Sequence, residues 1–173
     1  MMYTEDVYAN MIVECRKIAT DFIKGVSDRR AVLDLANNID DLDEWELAQE
    51  EIAELFDKFK SVMGLESSLR FFRDNDEEYG QYCEDSDAVI LPMCIGCYNE
   101  RDIVEHMTHE LYHAFQYSAI CEPDKYPCFD AETIKMWDYE FHNYVSGAKD
   151  MKQYLGQEIE KTARAFGTMI SNK

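Results

Sequence analysis

Apolar residues recur at three- and four-residue spacing through most of the first 63 residues, which is the spacing of one face of an α-helix. We predict a first helix from residue 5 to Gly25 and a shorter second helix after Ser27 and Asp28, which are good N-cap residues. A third predicted helix begins near residue 43 and ends at Gly64. The acidic residues between positions 40 and 54 are interpreted as its solvated face. Residues 1–65 are therefore expected to be a helical scaffold.

The pattern changes between residues 68 and 95. Short apolar and aromatic runs at 69–73, 79–83 and 88–92 alternate with acidic clusters that are typical of turns. They predict a three-stranded sheet with either 79–83 or 88–92 at its edge. Helical spacing returns at 100–118, 130–145, 150–154 and 157–170.

The predicted fold class is therefore α+β, mostly helical, with a small sheet directly before a long helix. A chain of 173 residues with 46% hydrophobic residues suits one domain with a core of its own. We expect that domain to consist of the scaffold 1–65, a sheet-plus-helix part 68–118 and a helical part 119–173.

The long helix contains the sequence His109-Glu110-Leu111-Tyr112-His113, which is an HExxH motif. Residues four apart project from the same face of a helix, so both imidazoles can reach a single ion while Glu110 lies beside them. Asn99 is a good N-cap for this helix, and no Gly or Pro interrupts residues 100–118. The motif therefore lies in the helical context that a metal site of this kind needs.

This helix resembles the active-site helix of the zincin metallopeptidases. The resemblance implies that His109 and His113 bind Zn²⁺ and that Glu110 acts as general base toward the water that zinc activates. A metzincin would have a third histidine six residues after His113, but Ala119 stands there, which excludes that subclass.

A third ligand is expected in the last predicted helix. Glu160, Ala163 and Phe166 have the spacing of the ExxAxxF helix of the ImmA/IrrE-like branch of zincins, which is gluzincin-type. That resemblance implies that Glu160 binds the zinc, while Ala163 and Phe166 pack it against the HExxH helix. The alternatives for this ligand are Glu158, Glu140 and His142.

Further groups are needed around such a site. A hydrogen-bond donor must stabilise the oxyanion of the reaction, and His106, one turn before His109, is the first candidate, followed by His142, Tyr139 and Tyr144. In some gluzincins, an Asp four residues after the ligand Glu accepts a hydrogen bond from a ligand His. Arg164 stands there and cannot accept, so we guess Asp138 or Glu132 for that role.

Six cysteines raise the question of a second metal site. Cys94 and Cys97 form a CxxC pair that Cys121 and Cys128 can complete to a four-cysteine zinc site, but the latter two are not at zinc-finger spacing. We interpret the cysteines as free thiols and keep the tetracysteine site as a minor alternative.

The charge limits the partners. With 17 basic and 36 acidic residues, the formal net charge is −19, which repels nucleic acid and anionic membrane surfaces. We find neither an apolar run of membrane-spanning length nor a signal peptide, and we expect a cytoplasmic protein.

Taken together, the residues predict a zinc-dependent peptidase that acts on a peptide or protein substrate. The family likeness adds regulatory cleavage of a repressor or similar partner as an expectation. The alternative is a zincin-like domain that binds a protein partner and hydrolyses weakly or not at all, although the intact Glu110 argues against it.

Overall fold

The computed structural model describes residues 2–25, 42–72, 80–92 and 99–172. Within these ranges the chain is mostly helical, with one three-stranded sheet, and the predicted α+β class is confirmed. The helices are α1 (Glu5–Gly25), α2 (Leu42–Met63), α3 (Glu100–Cys121), α4 (Ala131–His142), α5 (Met151–Gly156) and α6 (Glu158–Ser171). The strands are β1 (Ser68–Phe72), β2 (Gln81–Cys83) and β3 (Ala88–Pro92), and short 3-10 turns occupy Glu84–Ser86 and Pro123–Lys125.

The strands lie in the order β1-β3-β2. β3 runs parallel to β1 and antiparallel to β2, with Val89 opposite both Leu69 and Tyr82. The alternative that placed 88–92 at the sheet edge is therefore wrong, because β3 is paired on both sides. The central position of β3 also explains why its sequence is apolar without alternation, because Ala88, Val89 and Leu91 are fully buried there. The other predicted edge, residues 79–83, corresponds to β2, which lies at an edge of the sheet. Tyr79 itself lies outside the described residues.

Helix α3 is the centre of the packing. Twelve of its 22 residues are buried, so it is covered on more than one side. It packs along α6 and also contacts α1, α2, α4, β2 and β3. The helix that carries the HExxH motif is thus the one that the other elements hold in place.

The N-terminal helices belong to the same core. Their buried side chains, among them Cys15, Ala19, Phe56 and Phe59, join the hydrophobic cluster that includes Leu111 of α3. Gly64 ends α2 as predicted, in a left-handed conformation (φ 62°) that favours glycine. The second predicted helix, after Ser27 and Asp28, lies outside the described residues. None of the described helices combines the length and the apolar character that crossing a bilayer requires.

A glycine sets the distance between α3 and α6. A Cβ on Gly167 would lie 2.7 Å from the main-chain oxygen of Glu105, so only glycine permits this approach. The Glu105 carboxylate then accepts hydrogen bonds from Thr168 (3.0 Å) and Ser171 (3.2 Å) on α6. The contact fixes one end of the helix that supplies Glu160.

We predict that Gly167→Ala lowers the free energy of unfolding by about 1–2 kcal/mol, because the clash with a main-chain atom outweighs the helix propensity that alanine adds. Gly156→Ala is the matched control, since nothing lies within 4 Å of a Cβ there. Urea denaturation of both variants measures the difference. Equal stability of the two variants would contradict a close contact at Gly167.

Candidate metal centre

The start of α3 positions the motif as its sequence predicts. The Asn99 side chain accepts hydrogen bonds from the main-chain N–H groups of Arg101 and Asp102, both at 3.1 Å. Asp102 and Glu100 add negative charge in the first turn, where it stabilises the helix dipole. The helix therefore begins after Asn99, as predicted, and this start fixes how many turns separate the N-cap from the two histidines.

His109 and His113 face each other one helical turn apart. Their Nε2 atoms are 3.1 Å apart, and the two rings are nearly perpendicular. His113 is buried, whereas the side chain of His109 is 14% exposed. Both Nε2 atoms therefore point to the same small volume.

The third predicted ligand reaches this volume from α6. Glu160 Oε2 lies 3.4 Å from His109 Nε2, and Glu160 Oε1 lies 3.5 Å from His113 Nε2. Ala163 and Phe166 are buried behind it, and the Phe166 ring stacks on Tyr112 at 4.5 Å, as the ExxAxxF spacing implied.

These three side chains are suited to hold one metal ion. Each offers one ligand atom, and these atoms all lie within 4.8 Å of one another. Ligands at the zinc distances of about 2.0–2.1 Å around a tetrahedral ion lie about 3.3 Å apart. The two imidazole nitrogens are 3.1 Å apart, and each has one of the two Glu160 oxygens at a comparable distance of 3.4 or 3.5 Å. In the described part of the chain this is the one cluster of three potential ligands.

The electrostatics of the centre favour a positive charge between the three side chains. Burial by itself raises the pKa of Glu160, but hydrogen bonds and charge from His109 and His113 hold that pKa well below its ordinary value. For His113, burial lowers the pKa, but the hydrogen bond that its ring donates to Glu160 and the charges of Glu110 and Glu160 outweigh burial and raise the pKa. The carboxylate stays ionised, and a metal ion competes with a proton for His113.

Both oxygens of Glu160 have additional partners. The Tyr144 hydroxyl donates to Oε1 at 2.8 Å, and Arg164 Nη1 donates to Oε2 at 3.3 Å. The Tyr154 hydroxyl also interacts with this carboxylate through charge and hydrogen bonding. Burial and the Glu160 charge raise the pKa of both tyrosines, so they remain protonated donors. Arg164 thus orients the ligand carboxylate itself.

Sequence reasoning missed Gln116, which positions His113. Its Oε1 lies 2.9 Å from His113 Nδ1, so Nδ1–H donates to the amide and Nε2 stays free for a metal. The Gln116 amide nitrogen donates across the helix interface to Ile159 O (3.2 Å) and Thr162 Oγ1 (2.8 Å). The guesses of Asp138 and Glu132 are therefore wrong for His113. The available signal was a polar residue three positions after a ligand on the same helix.

The other candidates for the third ligand lie elsewhere. Glu158 pairs with Lys161 at 2.5 Å near the surface. Glu140 accepts a hydrogen bond from the main-chain N–H of Ile159 at 2.9 Å and so caps the start of α6. His142 is exposed and bonded to the main-chain oxygen of Asp138.

Glu110, the predicted general base, lies beside the three ligands. It is 6% exposed, and its Oε1 is 3.9 Å from His109 Nε2. The chain just before β2 covers it, because a Cβ on Gly80 would lie 3.1 Å from Glu110 Cγ. The base is therefore shielded from bulk water and is still next to the ligand group.

The candidate oxyanion donors occupy different positions relative to the ligand group. His106 Nδ1 is 2.7 Å from Asp102 O, and its ring is not part of the ligand group. Tyr139 is exposed on α4, whereas the Tyr144 hydroxyl touches the ligand carboxylate. A catalytic role for His106 stays a prediction.

The cysteine hypothesis is only partly within the described residues. Cys121 is exposed and Cys128 is half-buried, and both are free thiols. Cys94 and Cys97 lie outside the described ranges, so the tetracysteine site stays a prediction.

Comparisons with models of protein families, with curated proteins and with solved structures found no match to this chain. The interpretation of the centre therefore depends on its own residues and geometry. The zincin likeness remains a resemblance of motif and spacing.

We predict that Glu160→Gln, loaded with zinc and then dialysed, retains much less metal than the wild-type chain treated in the same way, because the carboxamide offers a neutral ligand in place of an anionic one. Glu158→Gln is the matched control two residues away and is expected to keep its zinc. Elemental analysis of the dialysed proteins measures the content. Full zinc in Glu160→Gln, or its loss in Glu158→Gln, would refute the ligand assignment.

We predict that Gln116→Met weakens zinc binding by about 10- to 100-fold, because His113 loses the acceptor that fixes its tautomer. Thr162→Val removes one partner of Gln116 but leaves the bond to His113, so it controls for the structural contribution. Competition with a chromogenic chelator gives both dissociation constants. An unchanged constant for Gln116→Met would exclude the positioning role.

Proposed function

We propose that the protein is a zinc-dependent peptidase that hydrolyses peptide bonds of a protein substrate. The observation that carries the proposal is the position of Glu110, a nearly buried carboxylate 3.9 Å from a ligand atom of the His109, His113 and Glu160 group. A structural zinc site fills its four positions with protein ligands, whereas a catalytic site uses three and leaves one open. A three-ligand group with a carboxylate beside it matches the second arrangement.

The donor set supports zinc as the metal. Two imidazole nitrogens and one carboxylate oxygen at tetrahedral separations suit Zn²⁺ better than Mg²⁺ or Ca²⁺, which prefer more ligands and oxygen donors. When bound there, zinc supplies Lewis acidity, which polarises a carbonyl and lowers the pKa of water to about 7.

The protein's own residues then handle the protons. In this proposal, Glu110 accepts a proton from the attacking water and returns it to the leaving amine. Its burial beneath Gly80 and β2 limits competing bulk water. Gln116 keeps His113 in the ligand tautomer, and Arg164 and Tyr144 hold the Glu160 carboxylate in place.

A donor to the developing oxyanion is needed as well. Tyr144 is the better-placed candidate, because its hydroxyl lies 2.8 Å from a ligand oxygen and its raised pKa keeps it protonated. Its single proton bonds Glu160 Oε1, so in this role the hydroxyl turns from that oxygen to the oxyanion, while Arg164 continues to hold the carboxylate. His106 is the second candidate, one turn before His109 on α3.

The substrate in this proposal is an extended segment of polypeptide. β2 is an edge strand whose preceding residue, Gly80, contacts Glu110, so a strand added at this edge would run toward the metal centre.

We predict that Glu110→Gln keeps one zinc per chain but lowers hydrolysis by about 100-fold or more, because the amide cannot take the proton. The probes are dye-quenched casein and a mixture of random decapeptides read by mass spectrometry. Glu132→Gln, an exposed change on α4, is the control and is expected to keep full activity.

Two outcomes contradict the proposal. Equal activity of Glu110→Gln and wild type would remove Glu110 as the base. Wild type that holds one zinc and cleaves neither probe would favour the partner-binding alternative.

A further inference from the structure

Exposed apolar side chains concentrate in one stretch of the chain, and one of them contacts the metal centre. Five of the eight large hydrophobic residues exposed in the described part of the chain lie between positions 136 and 155. Three of them, Tyr144 (47% exposed), Met151 (54%) and Leu155 (48%), lie in the segment that leads into the helix of Glu160. Single exposed apolar residues need no explanation, but a contiguous group beside a candidate active site does.

These side chains form one surface. The rings of Tyr144 and Tyr154 meet edge to face at 6.4 Å. Met151 and Tyr154 both lie against Gly147, where a Cβ would meet Met151 Cε at 3.1 Å and Tyr154 Cδ1 at 3.4 Å. Leu155 follows Met151 by one turn on the same face of α5. We call Tyr144, Met151, Tyr154 and Leu155 the apolar platform.

The platform is continuous with the metal centre. Its Tyr144 hydroxyl donates to Glu160 Oε1 at 2.8 Å, and Tyr154 lies under Arg164, whose guanidinium carbon is 5.5 Å from the ring centroid. A substrate bound beside the Glu160 carboxylate would therefore have its neighbouring atoms in contact with the apolar platform. Four side chains are far fewer than the 20–30 residues per partner of a stable protein interface.

The local charge argues against a basic side chain as the occupant. Between Gly147 and Arg164 there are four basic and three acidic residues, whereas the whole chain has 17 and 36. Lys149 and Lys152 are exposed next to the platform. The strongly acidic surface is thus interrupted where the apolar residues lie.

We propose that the apolar platform is a specificity subsite that binds a bulky apolar side chain of the substrate, of leucine or phenylalanine size, next to the bond that is cut. This inference rests on the proposed peptidase function. Contact with the exposed surfaces of Tyr144, Leu155 and the flexible Met151 removes such a side chain from water.

The test uses amino-acid hydroxamates, which chelate zinc and differ only in their side chain. Isothermal titration of the zinc-loaded full chain compares L-leucine and L-phenylalanine hydroxamate with glycine hydroxamate. We expect the first two to bind about tenfold more tightly than the third, because their side chains are buried. In Met151→Ala/Leu155→Ala the preference is expected to fall below about threefold. Met169→Ala, an exposed methionine on α6, is the control and is expected to keep it.

A second readout does not depend on affinity. With methyl-¹³C methionine, the Met151 signal, assigned by its loss in Met151→Ala, is expected to shift with L-phenylalanine hydroxamate and not with glycine hydroxamate. The Met169 signal is expected to stay in place.

The outcomes separate the two proposals. Equal binding of all three hydroxamates, or a side-chain preference that the double variant keeps, would overturn the subsite alone. Failure of every hydroxamate to bind a chain that holds one zinc would overturn the open metal position, and the peptidase proposal with it.

Discussion

The Glu160 carboxylate is buried between α3 and α6, and its charge must be compensated there. Glu160 is 1% exposed, and an ionised group at such a depth is stable only when its charge is paired and its oxygens are hydrogen-bonded. His109 and His113 pair with it from α3, Arg164 from its own helix and Tyr144 from the turn after α4. The two histidines and Tyr144 come from outside α6 and reach the carboxylate only when α3 and the turn after α4 are docked correctly, so the charge links the positions of these elements.

Packing and hydrogen bonding reinforce this link along the whole α3–α6 interface. Gly167 allows the main chains to approach at one end, and Gln116 bridges to Ile159 and Thr162 near the other. Phe166 fills the space between them against Tyr112. The ligand atoms lie within 4.8 Å of one another, and the packing around them restricts the conformations that the three side chains can adopt.

The sequence was informative where a short-range pattern carries the information. HExxH places two ligands on one helical face, the ExxAxxF spacing identified Glu160, and Asn99 marked the helix start. Contacts between distant elements were harder to predict. Which strand lies at the centre depends on pairing partners, so 88–92 was a possible edge until β1 and β2 were seen on both sides of it. Gln116 was missed because its role depends on the tautomer of His113 and on atoms of α6, 43 and 46 residues away.

The separation of the ligands along the chain has a consequence for biosynthesis. His109 and His113 leave the ribosome before Glu160, because they lie on α3 and Glu160 lies on α6. A nascent chain that lacks α6 has two histidines without their carboxylate partner, and Gln116 without Ile159 and Thr162. The group of three potential metal ligands is completed only when α6 docks on α3. A chain interrupted before α6 therefore carries two of the three members of this group, and metal binding that needs all three cannot begin until α6 has been made.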